Sequence, residues 1–260
     1  MKSPNRPGMS LVEPSGDPAD ESGDGLGDDS TGTRSTARMC RGQLLPPNAL
    51  EQRRLIHASM HDSRQMDLVR ELRTNVLTRS QVSNPVVMVT GVSHGCGASY
   101  LARNLAASIA LDEERTALLV ECDPRRPRLA ADFDLPAESP GLLDVFRGGV
   151  VDLASVIYPS GVARLRVIPA GRGGWRGPEH FASCRMRALV DEIRNRYDDR
   201  YLVFDAPPVL GAPDARILSQ YADLIILVVG EGRHRPEVIR RAADMLPPER
   251  FAGVAFNHLP

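Results

Sequence analysis

An apolar strand, a glycine-rich loop and a helix follow one another without a break between residues 85 and 111. Residues 85–90 (PVVMVT) form the kind of continuous apolar run that is typical of a strand buried on both faces. The next residues include Gly91, Gly95 and Gly97, and the alanine-rich stretch 99–111 predicts a helix. Where a strand, a glycine-rich loop and a helix follow one another, the backbone N–H groups of the loop can bind phosphate at the helix N-terminus. The chain is thereby restricted to α/β folds that present such a loop.

The loop lacks the lysine that most phosphate-binding loops use. In the pattern G-x-x-x-x-G-K-[S/T], the lysine contacts the phosphates and the hydroxyl binds Mg²⁺. Gly97 and Ser99 occupy their expected positions, but Ala98 occupies the lysine position. The only lysine among the 260 residues is Lys2. The phosphate-directed cation is therefore an arginine, a residue of another subunit, or absent.

Acidic residues follow two later strands. The predicted strand 116–121 ends at Glu121, with Asp123 two residues on, and the predicted strand 201–205 ends at Asp205. Ligands of open α/β sheets bind outside the carboxyl ends of the strands, and Mg²⁺ prefers a few carboxylates together with phosphate oxygens. These acids are therefore candidate Mg²⁺ ligands. The alternatives are that Asp205 caps the following Pro-Pro turn and that Glu121 is structural.

Alternating helices and strands predict one α/β domain over residues 62–260, a three-layer P-loop NTPase fold whose mostly parallel sheet has helices on both faces. Further strands are predicted at 165–169, 224–229 and 251–256, and further helices at 67–78, 179–197, 212–220 and 236–246. Residues 1–61 are rich in Gly, Asp, Ser and Pro, with an acidic run at 13–29. They predict a disordered N-terminal tail, with a docking arm for a partner as the alternative.

Charge and hydropathy exclude several classes of function. A net charge of −1 at pH 7 gives no indication of a nucleic-acid partner. The longest apolar stretch, 224–229, is far too short to cross a bilayer, and no apolar signal-peptide segment follows the N-terminus. We expect a cytoplasmic protein that does not bind nucleic acid.

Six motifs in order resemble the cytoplasmic kinase domain of the bacterial tyrosine kinases (BY-kinases) of capsule and exopolysaccharide synthesis, relatives of the MinD and ParA ATPases. The resemblance covers about residues 62–260. The matching residues are Asp67, Arg70 and Arg73 for the family's E-x-x-R-x-x-R helix, 90–100 for its phosphate loop, Glu121, Asp123 and Arg125 for D-x-D-x-R, Asp205, Pro207 and Pro208 for D-x-P-P, and the segments 141–146 and 253–257.

The resemblance implies ATP or ADP with Mg²⁺ as the cofactor. It implies cofactor contacts by Gly91, Gly95, Cys96, Gly97, Ala98, Ser99, Tyr100 and Asn257, catalytic roles for Glu121, Asp123 and Asp205, and metal binding by Ser99, Asp123 and Asp205. Oligomerisation through Asp67, Arg70 and Arg73 is also implied, as a homo-oligomer or with a related kinase. The implied partner is a membrane-bound polysaccharide co-polymerase, or chain-length regulator, which would hold a cytoplasmic protein at the inner membrane.

The departures from the family pattern fall on the chemistry. Ala98 replaces the loop lysine, Ser93 replaces the second lysine of the MinD and ParA loops, and Glu121 replaces an aspartate that helps to activate the acceptor hydroxyl. The last tyrosine is Tyr221, so the family's C-terminal tyrosine cluster is not found. Phosphoryl transfer depends on positioned charge, and the loss of one cation lowers the rate on the order of 10²-fold or more.

Three hypotheses follow. The first is a regulatory, kinase-like protein of polysaccharide biosynthesis and export with impaired catalysis and weakened nucleotide binding. The second is an active tyrosine kinase or ATPase in which Arg125, Arg126 or an arginine of a neighbouring subunit replaces the lysine. The third is a MinD-like membrane-positioning ATPase, for which the sequence lacks the expected C-terminal amphipathic helix.

Overall fold

The computed structural model describes residues 44–60, 63–147, 152–172, 175–196 and 199–258. Within these ranges, seven strands form one sheet in the order β3-β4-β2-β5-β1-β6-β7. All neighbouring strands are parallel except β3 and β4. The strands are β1 (Val86–Gly91), β2 (Thr116–Glu121), β3 (Tyr158–Pro159), β4 (Leu165–Ile168), β5 (Arg200–Asp205), β6 (Leu224–Gly230) and β7 (Phe251–Asn257). The predicted α/β fold with a mostly parallel sheet is confirmed.

Helices alternate with these strands. They are α1 (Pro47–Gln52), α2 (Arg64–Arg79), α3 (Ala98–Ala110), α4 (Leu129–Asp132), α5 (Leu142–Phe146), α6 (Cys184–Arg196), α7 (Asp214–Leu218) and α8 (Pro236–Ala243). Helix α6 begins later than the predicted 179–197, because Pro178–His180 forms a separate 3-10 turn. None of the helices in the described ranges is long and apolar enough to span a membrane.

The centre of the sheet forms the core. Strands β1, β2, β5 and β6 are buried along their whole length, as expected for parallel strands covered on both faces. Helix α3 packs against β1, β2 and β5, and α2 packs against α3. The loop between β1 and α3 therefore starts from the buried centre of the sheet.

Residues 44–60 pack onto this domain, although their composition predicts that they belong to a disordered tail. Leu55 and Ile56 are buried. The side chain of Asn104 on α3 accepts a hydrogen bond from the Ile56 N–H at 2.8 Å and donates one to the Arg54 carbonyl at 3.0 Å. The average composition of 1–61 concealed this short apolar segment, whose partner lies 48 residues away. The remainder of the predicted tail, 1–43 and 61–62, lies outside the described residues.

Candidate functional site

The loop between β1 and α3 leaves its backbone N–H groups available. Gly95 and Gly97 have φ values of 81° and 88°, in the region that favours glycine. The Val92 N–H donates to the Val228 carbonyl at 3.0 Å, which ties the start of the loop to β6. Among the described residues, none accepts a hydrogen bond from the backbone N–H groups of 93–97. A series of free N–H groups at a helix N-terminus is suited to bind a phosphate.

Asp205, the last residue of β5, lies at the start of α3. The side chain of Ser99 lies beside its carboxyl group, which is only 5% exposed. Burial, assisted by the neighbouring charges of Glu121 and Asp123, raises the pKa of Asp205 to about 7, although Ser99 and Arg103 act in the opposite direction. A bound cation would favour the ionised carboxylate, so this pair fits a Mg²⁺ ion held with phosphate oxygens.

Asp123 contributes a second carboxyl group to the same end of the sheet. Its Oδ1 atom is buried and has no hydrogen-bond partner within the described ranges. Burial raises the pKa of Asp123, while the charges of His94, Arg125 and Arg126 oppose the increase. A buried carboxylate oxygen without a partner is costly, and a cation would remove that cost.

In the part of the chain that the structure describes, acidic, histidine and cysteine side chains alone do not make up a metal site. No group of three or more such side chains in the described part of the chain could hold a metal ion. Mg²⁺ commonly binds through one or two carboxylates plus phosphate oxygens and water, so Ser99, Asp123 and Asp205 fit a site that requires a nucleotide. Their assignment as metal ligands stays a prediction.

Glu121 has a different environment, although it pairs in register with Asp205 on the neighbouring strand. Its Oε1 atom accepts hydrogen bonds from the N–H groups of Arg128 and Leu129, the latter at 2.8 Å, and Oε2 accepts one from Ala170 at 2.8 Å. Burial raises its pKa, and these three backbone bonds lower it. Glu121 therefore fixes the start of α4 and the end of β4. Its predicted catalytic role stays a prediction.

The other predicted cofactor residues lie on or beside the loop. The Asn257 side chain donates to the Cys96 carbonyl at 3.1 Å and lies so close to Gly97 that a Cβ there would be 1.9 Å from Nδ2. Tyr100 faces α2, where its hydroxyl accepts a hydrogen bond from Gln65. Asn257 thus positions the loop, because its amide group contacts the loop backbone.

A cleft of about 1640 Å³ runs from the loop along α3 towards α2 and α1. Ala98, Ser99 and Asp123 line it, as do five arginines, Arg53, Arg54, Arg64, Arg103 and Arg128. Part of this positive charge is neutralised within the chain, because Arg53 pairs with Asp134 and Arg103 pairs with Asp132. The cleft is large enough for a nucleotide and continues well beyond the loop.

The two arginines predicted to replace the missing lysine have different environments. Arg125 forms an ion pair with the buried Asp214 at 3.2 Å and lies 5.8 Å from the centre of the Trp175 ring. Arg126 is exposed, and its charge lowers the pKa of Asp123. Arg125 is therefore held by protein groups, whereas Arg126 is close to one of the candidate metal ligands.

Two residues that the sequence analysis did not select contact the loop from the turn after β6. His234 Nε2 lies 2.9 Å from Ser93 Oγ, and the Arg233 guanidinium lies against Gly95. No motif marks either residue. The order of the strands could have indicated them. Strand β6 pairs in parallel with β1, and the loops that follow neighbouring parallel strands meet at one edge of the sheet.

The residues predicted for oligomerisation lie on α2, beside a partly apolar face of that helix. Asp67 is exposed, Arg70 is half-buried, and Arg73 donates to the Ser108 carbonyl at 2.9 Å. Leu68 is 57% exposed, because Met66, Val69 and Val76 form the buried face of this helix. The assignment of Asp67, Arg70 and Arg73 to an interface stays a prediction.

Comparison with known proteins finds similarity to bacterial tyrosine-protein kinases. EpsB of Ralstonia solanacearum is 32% identical over 208 residues, which cover 79% of this chain and 27% of EpsB. The tyrosine-protein kinase CpsD of Streptococcus agalactiae is 27% identical over 188 residues, covering 72% of this chain and 79% of CpsD. The chain thus spans about a quarter of EpsB but most of CpsD. No protein-family model matches the chain.

Solved structures agree with these relatives. The kinase domain of VpsO is 28% identical, with a TM-score of 0.68, over 75% of this chain and 95% of the VpsO domain. The cell division ATPase MinD of Pyrococcus furiosus is 19% identical, with a TM-score of 0.53, over 66% of this chain and 70% of MinD. The second likeness concerns the fold alone, and it agrees with the predicted α/β fold.

Proposed function

We propose that the chain, a homologue of the bacterial tyrosine-protein kinases, is a Mg-nucleotide-binding regulatory protein of capsule or exopolysaccharide biosynthesis and export with impaired phosphoryl transfer. The observation that carries the proposal is the combination of free loop N–H groups with the Ser99–Asp205 pair. Ala98 at the lysine position is the reason for proposing impaired transfer.

The chain's own residues divide the binding of a nucleotide between them. The N–H groups of 93–97 would receive the phosphate oxygens, and Ser99 and Asp205, with Asp123, would hold Mg²⁺. The ion would supply positive charge that stabilises the phosphates when it is bound. Asn257 holds the Cys96 carbonyl and thereby keeps the loop in its receptive conformation.

Phosphoryl transfer requires more than this binding. Catalysis in this reaction class comes from cations aimed at the charge that develops on the transferred group, and the Ala98 methyl group supplies none. Glu121 is not free to act on an acceptor hydroxyl either, because both of its oxygens accept backbone hydrogen bonds. We therefore expect binding without efficient turnover.

A membrane partner and an oligomer are part of the same proposal. The homologues are tyrosine kinases, and a regulatory role at a polysaccharide co-polymerase in the inner membrane would use the protein's surface rather than its chemistry. The exposed Leu68 on α2 and Phe256 on the edge strand β7, 57% and 70% exposed, line the same cleft and offer an apolar surface for assembly.

The test combines binding with turnover on the full chain. Isothermal titration calorimetry with Mg-ATP should show binding by the wild type and its loss in Ser99→Ala, because that variant lacks the hydroxyl beside Asp205. ADP formation by the wild type should be at least about 100-fold slower than by Ala98→Lys. Wild-type turnover equal to that of Ala98→Lys would instead support the active kinase, and no Mg-ATP binding by the wild type would overturn the nucleotide-binding proposal.

A further inference from the structure

We propose that Arg233, in the turn between β6 and α8, supplies the phosphate-directed positive charge for nucleotide binding that Ala98 cannot supply. This inference rests on the proposed function, because it concerns the nucleotide bound by the same loop. It assigns the missing cation to a residue 135 positions away from the usual one, carried by the neighbouring strand of the sheet.

The first support is the course of the Arg233 side chain across two glycines. A Cβ on Gly230 would lie 2.7 Å from Arg233 Cδ, and a Cβ on Gly95 would lie 2.7 Å from Arg233 Nη1. The arginine stem therefore crosses the end of β6 and brings the guanidinium onto the phosphate loop. Only residues without a side chain leave this space open.

The second support is the contact that holds the turn against the loop. His234 Nε2 lies 2.9 Å from Ser93 Oγ, and His234 Nδ1 is buried without a hydrogen-bond partner in the described residues. Ser93 lies two residues before Gly95, so this contact and the arginine approach the same side of the loop. His234 is a positioning residue, because it acts through the placement of Arg233.

The third support is that Arg233 has no competing partner among the residues that the structure describes. Arg103 is paired with Asp132 at 2.6 Å and Arg125 with Asp214 at 3.2 Å. Within the described ranges, the Arg233 side chain forms no hydrogen bond or ion pair, and the residue is exposed. A guanidinium is always charged and presents several N–H donors that match phosphate oxygens. An unpaired guanidinium beside loop N–H groups that donate to no described residue is therefore suited to bind a phosphate.

The experiment is calorimetric titration of the full chain with Mg-ATP, comparing Arg233→Ala with Arg235→Ala. Arg235 is the matched control, because it is an exposed arginine two residues on that precedes α8 and forms no ion pair in the part of the chain described here. Arg233→Ala should weaken binding by about tenfold or more, and Arg235→Ala by less than about twofold. Adding Ala98→Lys to Arg233→Ala should restore the affinity. Thermal unfolding should be unchanged in both single variants, because both side chains are exposed.

The remaining outcomes separate this inference from the proposed function. Binding that Ser99→Ala abolishes and Arg233→Ala leaves unchanged would retain the nucleotide site and reject Arg233. A loss of affinity in Arg126→Ala, with Arg233→Ala unaffected, would assign the cation to Arg126 and also reject it. Failure of the wild type to bind Mg-ATP would overturn both proposals.

Discussion

Glu121 and Asp205 occupy paired positions at the ends of neighbouring parallel strands, yet the chain uses them differently. Both are buried, with 3% and 5% exposure, and burial raises the pKa of each. The Glu121 carboxyl group accepts three backbone hydrogen bonds, whereas the Asp205 carboxyl group lies beside the Ser99 side chain, which lowers its pKa. Equivalent positions in a sheet therefore do not imply equivalent roles, since the loops packed over each strand end determine how well the charge is satisfied.

The largest effect expected from this comparison is on stability at Glu121. Glu121→Ala should reduce the free energy of unfolding by roughly 3–5 kcal/mol, because three backbone N–H groups, two of them buried, would lose their acceptor. Urea unfolding monitored by circular dichroism measures this change. Glu121→Gln is the matched control and should lose about half as much, because its one amide oxygen can still serve Arg128 and Leu129. If Glu121→Ala unfolds like the wild type, the structural interpretation of Glu121 is wrong.

Substitution of Asp205 should change the free energy of unfolding in the opposite direction. Its folded pKa of about 7 lies above the ordinary value of 3.8. Ionising this buried carboxyl group therefore lowers the free energy of unfolding progressively as the pH rises from about 4 to about 7. Asp205→Asn should therefore raise the free energy of unfolding at pH 8 by roughly 2–4 kcal/mol and have little effect at pH 4. Urea unfolding at both pH values measures the difference. An equal effect at pH 4 and pH 8 would show that the substitution acts through packing rather than through the charge.

The smallest effect concerns the pH dependence of nucleotide binding. Mg²⁺ requires an ionised carboxylate, so binding must displace the proton that Asp205 carries below about pH 7. With the concentration of the Mg-ATP complex held constant, the affinity should be about tenfold lower at pH 6 than at pH 8. Calorimetric titration at these two pH values measures the ratio. A pH-independent affinity would contradict the assignment of Asp205 as a metal ligand, and with it the proposed difference in role between Asp205 and Glu121.

The central strands could be predicted closely from the sequence. Residues 85–90 were predicted and Val86–Gly91 observed for β1, and the prediction for β2 matches Thr116–Glu121. These strands are buried on both faces, so nearly every residue is apolar and the pattern is clear. Helix α6 was predicted to begin too early, because a proline at position 178 permits a 3-10 turn before it as readily as the first turn of a helix.

The candidate site was only partly predictable. The glycine loop, Ser99, Asp123 and Asp205 are selected by motifs whose residues are close in the chain. The hydrogen bonds of Glu121 come from Arg128 and Leu129, seven and eight residues on, and from Ala170, 49 residues away. No local pattern in the sequence indicates that this carboxylate is held by backbone N–H groups, so a catalytic and a structural role could not be separated.

The sequence by itself determined the order of strand, loop and helix, the glycines that allow the loop conformation, and the loss of the lysine at position 98. These are properties of neighbouring residues, governed by backbone conformation and apolar periodicity. Only the tertiary structure decided that Glu121 is held by three backbone N–H groups and that Arg233 lies on Gly95. The pairing of β6 with β1 brings residues 95 and 233 together, and contacts across such separations depend on the assembled sheet.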